Sequence, residues 1–274
     1  MDKKYISVIL PFLKKAGKLA LQNQSLITGC NKCDGSLVTE TDLKISAMFK
    51  ETIEKKFKGH FILDEETALK TENLKEKTYK SEYVWVIDPI DGTKAYFHGS
   101  NLFATSISLY KNLKPVFAVI YLPYMNEIIY TYEKSVFIIT NAFKRNETKL
   151  ELFFEKNELN KNSFIYFSVK NAKEYIKDYK YTFIDGYSAY IYAFDVFKNV
   201  AQGAFLKDNV SMWDVYGSLP IAKRLGMEIY NINDGSKLEK LDFDLFKENL
   251  KAKNIWLICH ESYKSELLDI IIKS

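Results

Sequence analysis

The feature that most restricts this chain is a short apolar run, Tyr83-Val84-Trp85-Val86-Ile87, that stops on Asp88-Pro89-Ile90-Asp91-Gly92-Thr93-Lys94. A run of β-branched and aromatic residues bounded in this way reads as a buried strand. A buried strand needs a sheet beside it and other elements packed over it, so the chain has to be a layered globular fold. Where the run ends, two Asp stand three residues apart, with Pro between them and Gly-Thr after. Such a turn can aim both carboxylates at one point. Gly92 has no Cβ to keep a ligand from the backbone. Thr93 opens a helix, and the free N–H groups at a helix start suit a phosphate. Bare carboxylates would repel that phosphate, so the pattern calls for a divalent cation. An all-oxygen environment suits Mg2+.

Length and composition are compatible with this reading. The 274 residues allow one large domain or two smaller ones. With 47% hydrophobic and 27% charged residues, disorder is excluded as the main state. Three cysteines are too few, and odd in number, for a disulfide scaffold. The charge balance of 39 basic and 35 acidic residues, +4, is too mild to argue for nucleic acid. Near the N-terminus, Lys14, Lys15 and Lys18 interrupt the apolar run, while Ile6, Ile9, Leu10, Leu13, Ala16, Gly17 and Ala20 recur near helical spacing. That predicts an amphipathic helix rather than a signal peptide. No apolar stretch approaches the ~18 residues of a membrane span, and a cytoplasmic location is expected. Cys30 and Cys33 form a C-x-x-C with no second pair or nearby His, and read as reduced thiols in a loop. Cys259, beside His260 in an apolar run, reads as core.

Periodicity predicts helices over 4–24 and 43–58, an apolar strand at 61–63, and a loop or short helix over 68–82. Strands follow at 103–110, 115–122 and 127–132, with 133–150 extended. Next come a strand at 164–169, a helix at 171–178, a strand at 181–185, a helix at 187–202 and a strand reaching 206. A helix from 214 to 225 stops at Gly226, and strands at 227–232 and 254–259 precede a last helix over 262–273. The first half reads as helices and then meandering strands; the second alternates β and α. Two subdomains are expected: 1–140, α+β, with most of the candidate metal ligands, and 141–274, α/β, with Asp214 and the substrate wall.

Three more acidic clusters accompany Asp88 and Asp91. Asp42 falls just before a predicted helix, Asp64-Glu65-Glu66-Thr67 follows the 61–63 strand, and Trp213-Asp214 opens another helix. Singly, each has a plain reading as helix cap, turn or solvated loop. Together they exceed what capping needs.

D-P-I-D-G-T with an upstream E-E-T and a downstream W-D resembles the pattern of the inositol monophosphatase superfamily, in order from about residue 5 to 230. The resemblance implies an α+β / α/β fold, a layered α-β-α-β-α sandwich of the inositol monophosphatase / fructose-bisphosphatase type. It also implies a magnesium-dependent, lithium-sensitive phosphatase of small molecules. Carried onto matching positions, Glu66, Asp88 and the Ile90 carbonyl would hold one Mg2+, and Asp88, Asp91 and Asp214 a second. Glu65 would assist a third, weaker ion. Asp42 and Thr93, with Glu66, would be the catalytic set, orienting and deprotonating the attacking water. The N–H groups of Gly92 and Thr93 would grip the phosphate. A homodimer is implied by analogy.

The chain departs from the pattern in places. Asp64 stands where a Gly is usual, either as a spare ligand or as a tolerated change. Val215-Tyr216-Gly217 replace the small residues usual after W-D, and Pro220 predicts a kink. The glutamate that reads inositol hydroxyls, seven residues before the last Asp, is Lys207 here. Lys32-x-Asp34-x-Ser36 before Val38-Thr39, with Lys94, resembles nucleotidases of 3′-phosphoadenosine 5′-phosphate. Lys32, Lys94 and Lys207 are then substrate-binding candidates, or simply surface lysines. The segment 186–194 and Pro220 resemble the histidinol-phosphate branch more closely. Inositol 1-phosphate and fructose 1,6-bisphosphate stay as alternatives, as does a catalytically silent binding protein of the same fold.

Overall fold

A computed structural model of the chain describes residues 2–26, 29–31, 37–167, 175–178, 180–184, 188–206 and 210–271. Helix α1 (Lys3–Asn23) buries Tyr5, Ile9, Phe12, Leu13, Ala16, Gly17 and Ala20, the expected stripe except that Tyr5 and Phe12 are buried where Ile6 and Leu10 are only half-buried. A Cβ on Gly17 would lie 2.3 Å from Tyr121 Cε1, so only Gly lets α1 approach the sheet this closely. A ribbon of β1 (Gly29–Asn31) and β2 (Leu37–Thr39) leads into α2 (Glu40–Lys56). Thereafter come β3 (Phe61–Asp64), α3 (Leu74–Lys80), β4 (Tyr83–Asp91) and α4 (Thr93–Phe97). Strands β5 (Ala104–Lys111), β6 (Lys114–Leu122), β7 (Glu127–Tyr132), β8 (Ser135–Thr140) and β9 (Thr148–Leu152) follow. Strands β3 to β9 form a seven-stranded sheet in chain order. Its β3–β4 pair is parallel and each later pair antiparallel.

The second sheet draws on β10 (Phe164–Phe167), β11 (Thr182–Ile184), β12 (Gly203–Leu206), β13 (Met227–Asn231) and β14 (Trp256–His260). Its order is β11-β10-β12-β14-β13. Around it lie α5 (Ala189–Phe197), α6 (Met212–Tyr216), α7 (Leu219–Arg224) and α8 (Glu261–Asp269).

Strand β4 shows how the layers arise. Trp85 and Ile87 point toward α1 and α2, in a core with Tyr5, Phe49 and Phe117. Val84 and Val86 point the other way, into a core shared with α5, α6, α7 and the inner face of the second sheet. Successive side chains alternate between faces, and both faces are covered, so the strand is apolar from Tyr83 to Ile87. The second sheet's outer face packs Phe167, Phe205 and Leu257 against Leu267 of α8. The result is the expected α-β-α-β-α sandwich.

Several boundaries differ from expectation. Helix α2 starts at Glu40, so Asp42 lies in its first turn rather than before it. Strand β4 continues through Asp91 instead of ending at Ile87. The 187–202 helix stops at Phe197, where Asn199 takes a left-handed φ of 59°. The 214–225 helix is two helices, α6 and α7, with Pro220 in the first turn of α7. Gly217 sits between them because a Cβ would meet Tyr190 Oη at 1.8 Å. The first half of the predicted 171–178 helix, residues 171–174, falls outside the described residues. The first sheet runs past residue 140 to Leu152, and the second begins at Phe164.

Candidate active site

Parallel pairing of β3 with β4 brings their C-terminal ends to one edge. Asp64 pairs with Ile87, and Glu65 N–H donates to Ile87 O at 3.2 Å. The acidic loop after β3 therefore lies beside Asp88. Between Asp88 and Asp91 the register against β5 slips. Pro89 has no N–H for the ladder, and its carbonyl instead accepts from Thr105 Oγ1 at 2.8 Å. Gly92, at φ 82°, turns the chain into α4. Thr93 Oγ1 then donates to Ile90 O at 2.9 Å.

Asp214 arrives from the other half. It is the third residue of α6, and its Oδ2 accepts from Ser211 N at 2.9 Å in a capping box. Asp88, Asp91 and Asp214 each offer a carboxylate oxygen within 4.8 Å of the others. Helix α5 ties the two contributions together. Ser188 Oγ and Tyr190 N (2.8 Å) donate to Asp91 Oδ2, while Tyr190 Oη donates to Trp213 O at 2.6 Å.

The electrostatics follow from crowding like charges where water is scarce. Asp88 and Asp91 are only 2% and 8% exposed. Burial pushes the Asp88 carboxyl well above the usual carboxylate range, and Glu65, Asp91 and Asp214 push it further. Burial raises Asp91 to about 6, against the opposing donors Ser188 and Tyr190. Asp214 rises to about 7, through burial and then the charges of Asp91 and Glu65, with Lys251 opposing. Asp88 Oδ1 is buried and finds no hydrogen-bond donor among the described residues. A buried, orphaned carboxylate oxygen facing two more carboxylates is costly unless a cation joins them. The donor set is all oxygen and fits a hard divalent ion such as Mg2+.

The remaining predicted residues fall into place unequally. Glu65, half-buried, acts electrostatically on all three aspartates. Glu66 is buried, and its N–H donates to Asp64 Oδ1 at 3.0 Å. Asp64 Oδ2 accepts from Ser46 Oγ, so this unusual aspartate links the acidic loop to α2 and both its oxygens are engaged by protein donors. Asp42 is buried and accepts at Oδ2 from the N–H (2.9 Å) and hydroxyl of Thr39. Tyr96 Oη, donating to Ala20 O at 2.7 Å, docks α4 against the end of α1. Lys94 is exposed on α4. Lys32, Lys207 and Cys33 lie outside the described residues. Cys30 is an exposed free thiol and Cys259 a buried one. Sequence reasoning missed Ser188, Tyr190, Ser211 and Lys251. Ser188 carried a signal, as an N-cap residue before an apolar helix.

An acidic, cation-ready cluster where one sheet's strand ends meet a helix from the other half defines the class: a two-sheet sandwich with a carboxylate metal site. The inositol monophosphatase family profile matches residues 3–271, and the chain belongs to that family. It is 32% identical over 129 residues to a fructose-1,6-bisphosphatase/inositol-1-monophosphatase of Aquifex aeolicus, covering 46% of each chain. The match thus spans about half the length of that relative. The Thermotoga maritima IMPase has the same fold, with TM-score 0.73 and 20% identity over 98% of this chain and 96% of that one. An IMPase/NADP phosphatase complexed with Mg2+ and phosphate gives TM-score 0.75 and 16% identity over 98% and 95%.

Proposed function

We propose that this chain is a Mg2+-dependent phosphomonoesterase of small phosphorylated metabolites. The observation that carries the reading is the cluster of buried Asp88 and Asp91 with half-buried Asp214, whose carboxylate oxygens converge within 4.8 Å. Glu66, Asp88 and the Ile90 carbonyl would hold one ion, and Asp88, Asp91 and Asp214 another, with Glu65 helping a weaker third. Bound there, Mg2+ would lower the pKa of water and offset charge on the leaving oxygen. Asp42 and Thr93 orient the attacking water, and Asp42 draws its proton. Gly92 and Thr93 present backbone N–H groups to the phosphate at the start of α4. Ser188 and Tyr190 hold the Asp91 carboxylate in one direction.

For substrate, the reading is a 3′(2′),5′-bisphosphate nucleotide, with Lys32, Lys94 and Lys207 meeting the second phosphate. Inositol 1-phosphate and fructose 1,6-bisphosphate form the second reading, favoured by the name of the Aquifex aeolicus relative. The enzyme would work in the cytoplasm as a lithium-sensitive homodimer. Among the described residues no helix is long and apolar enough to cross a membrane.

The test is phosphate release from 3′-phosphoadenosine 5′-phosphate, inositol 1-phosphate, histidinol phosphate and fructose 1,6-bisphosphate, with Mg2+ and with Mg2+ plus Li+. Mg2+-dependent, Li+-inhibited release is expected, greatest from the bisphosphate nucleotide. Preference for another member of the panel would reassign the substrate. Release from none would leave the cluster as a binding site.

A further inference from the structure

Between β13 and β14 the chain makes an excursion over 232–255 that no recognised motif explains. Its turn at Phe243–Leu245 meets α3. Lys75 Nζ lies 2.5 Å from Asp244 Oδ1, Tyr79 Oη donates to Asp242 Oδ1 at 3.2 Å, and Phe243 N donates to Tyr79 Oη at 3.0 Å. The same stretch meets the end of α6, where Tyr216 Oη accepts from Asp242 N at 2.7 Å and donates to Asp242 O at 3.0 Å. The excursion then doubles back, with Phe246 bridged to Ala252. The returning arm lies along 210–212: Met212 N donates to Leu250 O at 2.9 Å and Ala252 N to Val210 O at 2.8 Å. It clasps α3, which follows the Glu65-Glu66 loop, to α6, which carries Asp214.

One charged side chain of the clasp reaches the site. Half-buried Lys251 donates from Nζ to Ser211 Oγ at 2.7 Å. Ser211 is the N-cap of α6, joined to Asp214 by the capping box. The Lys251 charge also acts on Asp214. Helix α6 has only five residues, so its own ladder does little to fix its direction. Its N-terminus needs an outside anchor.

We propose that Lys251 is a positioning residue: through Ser211 it fixes the start of α6, and with it the aim of the Asp214 carboxylate at Asp88 and Asp91. The inference rests on the metal reading of that cluster. It predicts an effect on metal affinity ahead of any effect on folding, because the clasp keeps its backbone bonds when the amine is removed.

The test is calorimetric titration of Mg2+ into the full chain, as wild type, Lys251→Met, Lys251→Arg, Ser211→Ala and the double variant Lys251→Met/Ser211→Ala. Lys251→Met should weaken Mg2+ binding about tenfold, the lower end for residues that orient metal ligands. Lys251→Arg should restore most of the loss. Ser211→Ala should weaken binding at least as much, since it also removes the capping-box bond from Asp214 N, and the double variant should be no worse than Ser211→Ala alone, since the lysine acts through that hydroxyl. Lys251→Met binding as tightly as wild type, or more tightly, would show that the lysine merely repels the cation, and the positioning role would be wrong. No Mg2+ binding by the wild-type protein would overturn the metal reading itself, and this inference with it. Should Lys251→Met fail to fold, by circular dichroism, Lys251→Gln decides beside Ser211→Ala: affinity unchanged in Lys251→Gln and Ser211→Ala alike refutes the role, and weakening in Lys251→Gln with no further loss in Lys251→Gln/Ser211→Ala over Ser211→Ala supports it.

Discussion

Asp88 and Asp91 stand on a nine-residue strand, whereas Asp214 stands on a five-residue helix. The strand is held by ladders on both sides, to β3 and to β5, and its side chains enter two cores. The helix has no ladder: it is packed into one core and held by separate bonds, Ser211 and Met212 N at its start, Tyr190 on the Trp213 carbonyl and Tyr216 on the clasp. A ligand on a strand end inherits the rigidity of a sheet. A ligand on a short helix is only as well placed as the side chains around it. The strand side should therefore tolerate loss of a neighbouring hydrogen bond, and the helix side should not.

The largest effect probes the cluster that both sides build. Asp91→Asn should lower turnover by about a thousandfold or more, since an interaction worth several kcal/mol is removed from the transition state. The metal-free melting temperature should stay level or rise, because one of the repelling carboxylates is gone. Near-normal turnover would show that Asp91 holds no ion.

A matched pair tests the comparison itself. Tyr190→Phe removes the 2.6 Å bond to Trp213 O, and Thr105→Val removes the 2.8 Å bond to Pro89 O. Both hydroxyls are buried, and each loss should cost about 1–3 kcal/mol of stability. Only Tyr190→Phe should also weaken Mg2+ binding, by roughly tenfold. Equal weakening by both, read by calorimetry, would erase the distinction between strand-borne and helix-borne ligands.

Acid should separate the states more gently. Asp91 and Asp214 are raised from the ordinary 3.8 to about 6 and about 7, so across that window the metal-free folded chain binds more protons than the unfolded one. The stability these groups contribute is fully present below about pH 4 and is lost as pH rises through about 7. Melting in EDTA should show their contribution falling over that range. Saturating Mg2+ should reverse the slope, because the ion binds the ionised carboxylates. A metal-free stability flat from pH 4 to 7, after other titrations are matched with Asp91→Asn, would mean that the cluster is better hydrated than its burial indicates.

The same contrast governs what the sequence discloses. β4 is legible because sheet burial writes itself as an apolar run and its functional end as D-P-I-D-G-T. Asp214 is legible only beside that motif, since W-D at a helix start is also ordinary capping chemistry. Ser188, Tyr190 and Lys251 escape because they act through bonds spanning 97, 23 and 40 residues, and spacing carries no trace of such contacts. Asp64 was visible only as a departure; its partner Ser46, a turn along α2 from Asp42, explains it in three dimensions. The break between α6 and α7 falls just before Pro220, where the sequence announced a kink, whereas the need for Gly217 under Tyr190 is a packing fact that spacing could not announce.

Lys94 gives the smallest expected effect and sharpens the comparison on the strand side. It lies on α4, a helix of five residues, and its side chain is exposed. An exposed charge of this kind contributes little to the fold. Lys94→Ala should therefore leave the metal-free melting temperature unchanged. It should raise KM for a bisphosphate substrate by less than about fivefold, as befits an exposed charge, and the effect should shrink at high salt. Mg2+ affinity should not change, because Asp88 and Asp91 are held by pairing with β5 and by the donors Ser188 and Tyr190, and not by the Lys94 side chain. A KM unchanged for bisphosphates and monophosphates alike would make Lys94 a surface lysine. A loss of Mg2+ affinity would mean that α4 helps hold the strand-borne ligands, and that the sheet alone does not.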